Sequence, residues 1–204
     1  MPQGPTEAER PIADLAARKA QVRDNALAAR DALPADERAR LSAAICARAA
    51  SLPEIARAQT TMLFASFGSE VDTAQLIDRV LDDGRALCLP RVLSPHSMAA
   101  YRVIDPSADL APGAWGIPEP RPGLVGVAPT DIDVVIVPGS VFDAECGRCG
   151  YGGGFYDAYL PRTRPGVPRI ALAFEAQVVA GLPCEPHDLK MDAIVTERRV
   201  IRPD

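Results

Sequence analysis

A chain of 204 residues and 21.7 kDa is long enough to bury one substantial core. A net charge of −5 and a pI near 5.1 exclude a surface devoted mainly to nucleic acid. No run approaches the roughly 18 consecutive apolar residues of a membrane span, the first residues lack the apolar centre of a signal peptide, and five scattered cysteines do not make a secreted disulfide framework. These features predict one cytoplasmic domain over residues 1–204, with residues 1–10 disordered and without nucleic acid or membrane partners; the expected state is a monomer or weak homodimer.

The Ala-rich stretch Ile12 to Leu33 has a helical stripe in Ile12, Leu15, Val22, Ala26, Ala29 and Leu33, with Lys19, Arg23 and Arg30 along its shoulder. Pro34 and Asp36 start a second helix that runs to Ala50, giving an N-terminal helical pair. Strands are predicted over Thr61–Phe67, Ala86–Leu89, Met98–Ile104, Asp133–Val137, Arg169–Phe174 and Ala193–Thr196. Helices are predicted over Asp72–Asp83, closed by Gly84, and over Phe155–Leu160, with a helical turn over Glu175–Ala180. The proline- and glycine-rich passage from Asp105 to Thr130 reads as a shaped loop. This alternation implies an α/β fold, a mainly parallel sheet with helices on both faces. Ligands of such sheets sit outside the carboxyl ends of the strands. The polar exits Gly68–Asp72, Pro138–Gly154 and Glu175–Gln177 should therefore meet at one cleft.

The exit Val137 to Leu160, VPGSVFDAECGRCGYGGGFYDAYL, carries the chemistry. Its five glycines bare the backbone N–H groups to a large anion and permit positive φ. A helix beginning at Phe155 would add its positive end, Arg148 a fork of donors, and Asp157 a hard oxygen for magnesium. The loop is neither a Walker loop, lacking the lysine and hydroxyl after its last glycine, nor the dinucleotide fingerprint, whose third position holds Phe155. A plain surface loop is the bland alternative, and Asp157 has its own, a carboxylate that favours a helix start. A redox or zinc reading rests on Cys146 and Cys149, joined for zinc by Cys184 and His187.

The order DVVIVPG, FD, GR.GYGGGFYD resembles the signature of the 5-formyltetrahydrofolate cyclo-ligase (5,10-methenyltetrahydrofolate synthetase) family. Lys19 and Arg23, FGSEVDT at 67–73, LP at 89–90, WGIPEP at 115–120, LAF at 172–174 and HDLKMDAIVTE at 187–197 follow the same order. The resemblance implies ATP- and Mg-dependent closure of a reduced formyl folate, 5-formyltetrahydrofolate, to 5,10-methenyltetrahydrofolate through a phosphorylated formyl group. It implies ATP contacts from Lys19, Arg23, Arg148, Gly150, Tyr151, Gly152, Gly153, Gly154, Phe155 and Tyr156, with Arg148 and Tyr156 catalytic. By the same likeness Glu70, Trp115 and Tyr156 meet the folate, Asp157 and Asp192 hold magnesium, and Asp188 is a neighbour for that duty. Cys149, Phe155 and Val92 depart from the family pattern, Val92 at the expected pterin wall. Val92 and Phe155 leave room for a relative of the same fold that binds another small molecule without this activity.

Overall fold

The computed structural model describes residues 10–183 and 188–203. Of the start predicted as disordered, residues 1–9 lie outside the described residues, as does the Cys184/His187 half of the zinc reading, whereas Arg10 opens a helix. Among the described residues thirteen strands form: β1 (Thr60–Met62), β2 (Ala86–Ser94), β3 (Ser97–Val103), β4 (Leu110–Pro112), β5 (Pro118–Pro120), β6 (Gly126–Val127), β7 (Val134–Val137), β8 (Val141–Asp143), β9 (Arg148–Cys149), β10 (Arg169–Leu172), β11 (Val178–Val179), β12 (Ala193–Val195) and β13 (Val200–Ile201). Eight of them make the main sheet, in the order β13-β12-β10-β7-β1-β2-β3-β6. This sheet is mixed. Strands β2, β1, β7, β10 and β12 pair parallel, whereas β13 at one edge and β3 and β6 at the other pair antiparallel.

The run Val134–Val137 is buried throughout and feeds both faces of the sheet. Val134 and Ile136 join Ile45, Ile55, Leu76 and Val80 on one face. Val135 and Val137 join Phe142, Tyr159 and Leu160 on the other. The first face is covered by α2 (Ala35–Ala50), α3 (Pro53–Ala56) and α4 (Ala74–Asp82). In α2, Asp36 and Glu37 favour the positive end, and Leu41, Ile45 and Ala49 recur at i+4 on the buried side. Gly84, at φ +69°, ends the α4 segment as expected. The second face carries less helix than predicted. A small sheet, β11-β8-β9, and the single turn of α6 (Phe155–Tyr159) cover it, because the stretch read as one loop after β7 folds back as the β8/β9 hairpin.

Nor do the two N-terminal helices pack as a hairpin. While α2 lies on α3, α4 and the sheet, α1 (Arg10–Asp31) crosses to the turn at Glu175–Gln177 and to β8. The inward stripe of α1 includes Lys19, Arg23, Ala26 and Arg30, spaced four, three and four, so its cations lie on the packed side and not merely at a shoulder. Ala29, assigned to the apolar stripe, is exposed. The passage 105–130 is also more regular than a shaped loop, since β4 pairs with β5 and β6 with β3.

A Cβ at Gly139, just after β7, would stand 2.5 Å from Cζ of the fully buried Phe142 and 3.2 Å from Cγ of Arg148. Gly139→Ala is accordingly expected to cost about 1–3 kcal/mol through overpacking. Thermal unfolding checks it: the midpoint should fall by several degrees, and an unchanged midpoint would mean that the ring moves aside freely.

Candidate functional site

The site is assembled at the carboxyl ends of the parallel strands. Asp143 closes the β8/β9 hairpin by accepting the N–H groups of Glu145 (3.0 Å), Gly147 (2.7 Å) and, from a distant segment, Leu182 (2.9 Å). A side chain at Gly147 would stand 2.9 Å from those same carboxylate oxygens, so glycine is required there. The hairpin then returns Arg148 to the strand ends. Its Nη1 donates to Pro138 O at 3.2 Å and its Nη2 to Asp157 Oδ1 at 2.7 Å. The Arg148 side chain is 4% exposed, and its Nε finds no protein acceptor. Its guanidinium lies 6.0 Å from the centre of the Tyr156 ring. The Tyr156 hydroxyl is also buried without a partner, and burial pushes its pKa up, so the phenol stays protonated.

The glycine loop follows. Gly152 and Gly154 take φ values of +94° and +66°. Among the described residues, no backbone N–H of residues 150–154 finds a protein acceptor. Arg23 reaches over this loop, its Nη1 lying 3.5 Å from where a Cβ of Gly152 would be. Lys19 Nζ donates to Asp188 Oδ2 at 2.6 Å. Burial raises the Cys149 thiol pKa, and the charges of Arg23, Lys19 and Arg148, all near it, oppose the rise only in part. The helix that follows is a single turn, so its dipole is small and the expected helix-end attraction is carried instead by these side chains and the bare amides.

Aromatic groups flank the loop. Trp115 is 69% exposed, held at φ +55° within a short 3-10 turn, and meets Phe155 edge-on at 5.9 Å between ring centres. Phe67 lies under Gly116, and His96 Nδ1 bonds Gly153 O at 2.7 Å. Glu70 accepts from the Tyr151 hydroxyl at 2.7 Å and from Phe67 N–H at 3.0 Å. A small recess of about 10 Å³ at this end is lined by Glu70, Pro138, Gly139 and Gln177, so the three polar strand exits do meet. Gln177, not singled out from the sequence, is buried and donates to Gly139 O and Ser140 O, which braces the exit of β7.

Burial raises the carboxyl pKa of Glu70, and bonds from Tyr151 and Phe67 and the charge of Arg30 oppose the rise only in part. With a folded pKa above the ordinary 4.5, folding favours the protonated acid. The associated stability is present below pH 4.5 and is lost as pH rises through the folded value. Glu70→Gln should therefore gain in melting temperature relative to the parent chain between pH 4 and pH 7.5. A gap that is constant across that range would refute the reading.

The two expected metal carboxylates do not come together. Asp157 stands beside Arg148, but Asp192 accepts Arg169 N–H at 2.7 Å at the entry to β10, the amino end of the sheet. Strand-entry bonding fixes it there: Asp192 N–H also donates to Arg169 O. Among the described residues, no three His, Cys, Asp or Glu side chains cluster as a metal cage. Val92 is half-buried opposite Met98 in the β2/β3 hairpin. The cysteine reading fares poorly. Cys146 is buried, bonds Ile201 O at 3.7 Å and has its thiol pushed up to about 11 by burial, while Cys149 is raised as well.

Residues 15–197 match the model of the 5-formyltetrahydrofolate cyclo-ligase family. The chain belongs to this family. A probable 5-formyltetrahydrofolate cyclo-ligase of Schizosaccharomyces pombe is 30% identical over 175 residues, spanning 79% of this chain and 86% of the relative. The 5-formyltetrahydrofolate cyclo-ligase of Escherichia coli K12 is 32% identical over 179 residues, 84% of this chain and 96% of the relative. The structure of Aquifex aeolicus 5,10-methenyltetrahydrofolate synthetase matches with a TM-score of 0.80 and 36% identity, over 90% of this chain and 92% of that one. A second synthetase structure, from Mycoplasma pneumoniae, has a TM-score of 0.72 at 22% identity, over 88% of this chain and 98% of that one, and shares the fold. In this family member, then, the glycine loop, the α1 cations and the exposed aromatics share one end of the sheet.

Proposed function

We propose that the cleft at the carboxyl ends of the strands binds Mg·ATP beside a reduced formyl folate, in one α/β domain acting in the cytoplasm as a monomer or weak homodimer. The reaction is the cyclisation of 5-formyltetrahydrofolate to 5,10-methenyltetrahydrofolate. Chemically, the formamide oxygen is a poor leaving group. It takes the terminal phosphoryl group of ATP, releasing ADP; nitrogen 10 then attacks the activated carbon and gives up its proton, and phosphate leaves with the former formyl oxygen. The observation that carries this reading is that Lys19, Arg23 and Arg148 all lie near Cys149, at the start of a loop whose amides 150–154 find no protein acceptor among the described residues. Phosphoryl transfer needs such in-line placement and charge neutralisation more than a covalent nucleophile.

Arg148 grips the phosphate tail through its buried fork, and the glycine amides cradle it. Tyr156 offers its protonated, unpartnered hydroxyl to an oxygen at the reacting end. Trp115 and Phe155 wall the flat pterin, and Glu70 reads its polar edge. When bound, magnesium neutralises phosphate charge. Asp157, a half-exposed carboxylate beside Arg148, fits an ion held mainly by phosphate and water, while the absence of a cage among the described residues does not fit a dedicated all-protein site. Asp192 has no part in this reading.

The test is an absorbance assay. Folded protein with ATP, magnesium and 5-formyltetrahydrofolate should produce the near-ultraviolet band of the methenyl product, and no rise would overturn the proposal. The sole tryptophan gives an independent check, since folate binding should cover Trp115 and shift its emission to the blue.

A further inference from the structure

One cation of α1 takes no part in the phosphate grip. Arg30 is 6% exposed, and its Nη1 donates to the Tyr151 hydroxyl at 2.6 Å. That hydroxyl donates onward to Glu70 Oε1 at 2.7 Å, while Glu70 Oε2 takes the Phe67 N–H. The guanidinium also lies 5.8 Å from the centre of the Tyr151 ring. Its Nε reaches Asp31 Oδ1 at a longer 3.4 Å, and a nearly buried cation whose shortest bond goes to a phenol polarises that phenol and makes it a better donor. Both carboxylate oxygens of Glu70 are thereby fixed, one by the glycine loop and one by its own strand exit.

We propose that Arg30 and Tyr151 are positioning residues that form a relay, clipping the tip of the glycine loop to Glu70 and holding that carboxylate oriented for the folate. The proposal rests on the cyclo-ligase reading for what Glu70 touches. It adds that the Glu70 carboxylate is held from α1 through the Tyr151 side chain, and not by its own strand exit alone. The groups facing Glu70 are Arg30 from α1, Tyr151 from the loop and Tyr156 from α6. Asp31 lies alongside, bonded by the Ser69 hydroxyl. Only Arg30 is cationic among them, and its charge and the Tyr151 hydroxyl both lower the pKa of the Glu70 carboxyl against its burial.

Tyr151→Phe keeps the half-exposed ring and removes both relay bonds, so the chain should fold normally. Cyclisation kinetics with each substrate varied in turn should show KM for 5-formyltetrahydrofolate raised about tenfold and KM for Mg·ATP changed by less than about twofold. The acid limb of kcat/KM should move to higher pH, because Glu70 loses one of the bonds that lower its pKa. Arg30→Met should act in the same direction. In a Glu70→Gln background, Tyr151→Phe should add no more than about twofold. Equal rises in both KM values, or an acid limb that stays put, overturn the relay and leave Tyr151 a loop anchor. Should the parent chain prove unable to turn over the folate, the cyclo-ligase reading fails separately. A thermal double-mutant cycle between Tyr151→Phe and Glu70→Gln then decides the relay, with coupling supporting it and additivity overturning it.

Discussion

Arg148→Ala is expected to lower kcat/KM for Mg·ATP by about 10³-fold, the scale seen when a donor aimed at developing charge on a transferring group is removed. The reason lies in how Arg148 is held. Backbone carbonyl Pro138 O and carboxylate Asp157 fix its Nη atoms, and the rest of a buried guanidinium is left without protein acceptors, so its fork is oriented before any anion arrives. Stability should suffer much less. Removing the arginine also removes the buried charge, and Asp157, 39% exposed, regains solvent, so the cost should be about 1–2 kcal/mol. Arg148→Lys sharpens the test. It keeps the charge and loses the planar fork, and should still cost about 10²-fold because a point charge cannot bind two oxygens in fixed geometry. Activity measured beside thermal unfolding decides: a loss of less than about tenfold in both variants, or a loss that tracks the melting temperature, would make Arg148 a structural strut.

Much of the parallel core was legible because its signals are local. Val134–Val137 is a β-branched run with no polar break, and the structure buries it on both faces. The glycines of 147–154 and the spacing of Lys19 and Arg23 pointed to one anion site, and these groups do share a strand end. What was hidden depends on distant partners. The β8/β9 hairpin consists of three residues and two, too short for any period, and it is fixed by Asp143 reaching Gly147 and Leu182. The assignment of Asp192 to the metal failed for a related reason. A carboxylate just before a strand reads the same whether that strand enters or leaves the site, and only the parallel register of β12 with β10 puts it at the amino end. Arg30 was seen as one more shoulder cation, because the turn that brings Tyr151 to it lies 121 residues away.

The second large effect is expected at Gly153, where the backbone is not in the left-handed region and alanine would be tolerated on conformational grounds. The obstacle is steric. A Cβ there would stand 2.7 and 2.8 Å from Cε2 and Cδ2 of Phe155, inside any real contact distance. The ring must therefore turn, and it is the ring against which Trp115 rests edge-on and to whose loop His96 is bonded through Gly153 O. Gly153→Ala thus displaces the pterin wall and the phosphate cradle together, and a shift on the order of 1 Å at a reacting centre costs about 10² in rate. Both KM values should rise and kcat fall, with the melting temperature lowered by no more than a few degrees because the loop is partly exposed. Gly152→Ala is the contrasting case. Its φ of +94° strains any side chain, yet its Cβ would make only an ordinary 3.5 Å contact with Arg23 Nη1. That variant should disturb Mg·ATP use more than folate binding. If the two alanines instead gave the same pattern on both substrates, the division of the loop into a phosphate side near Arg23 and a folate side near Phe155 would be wrong.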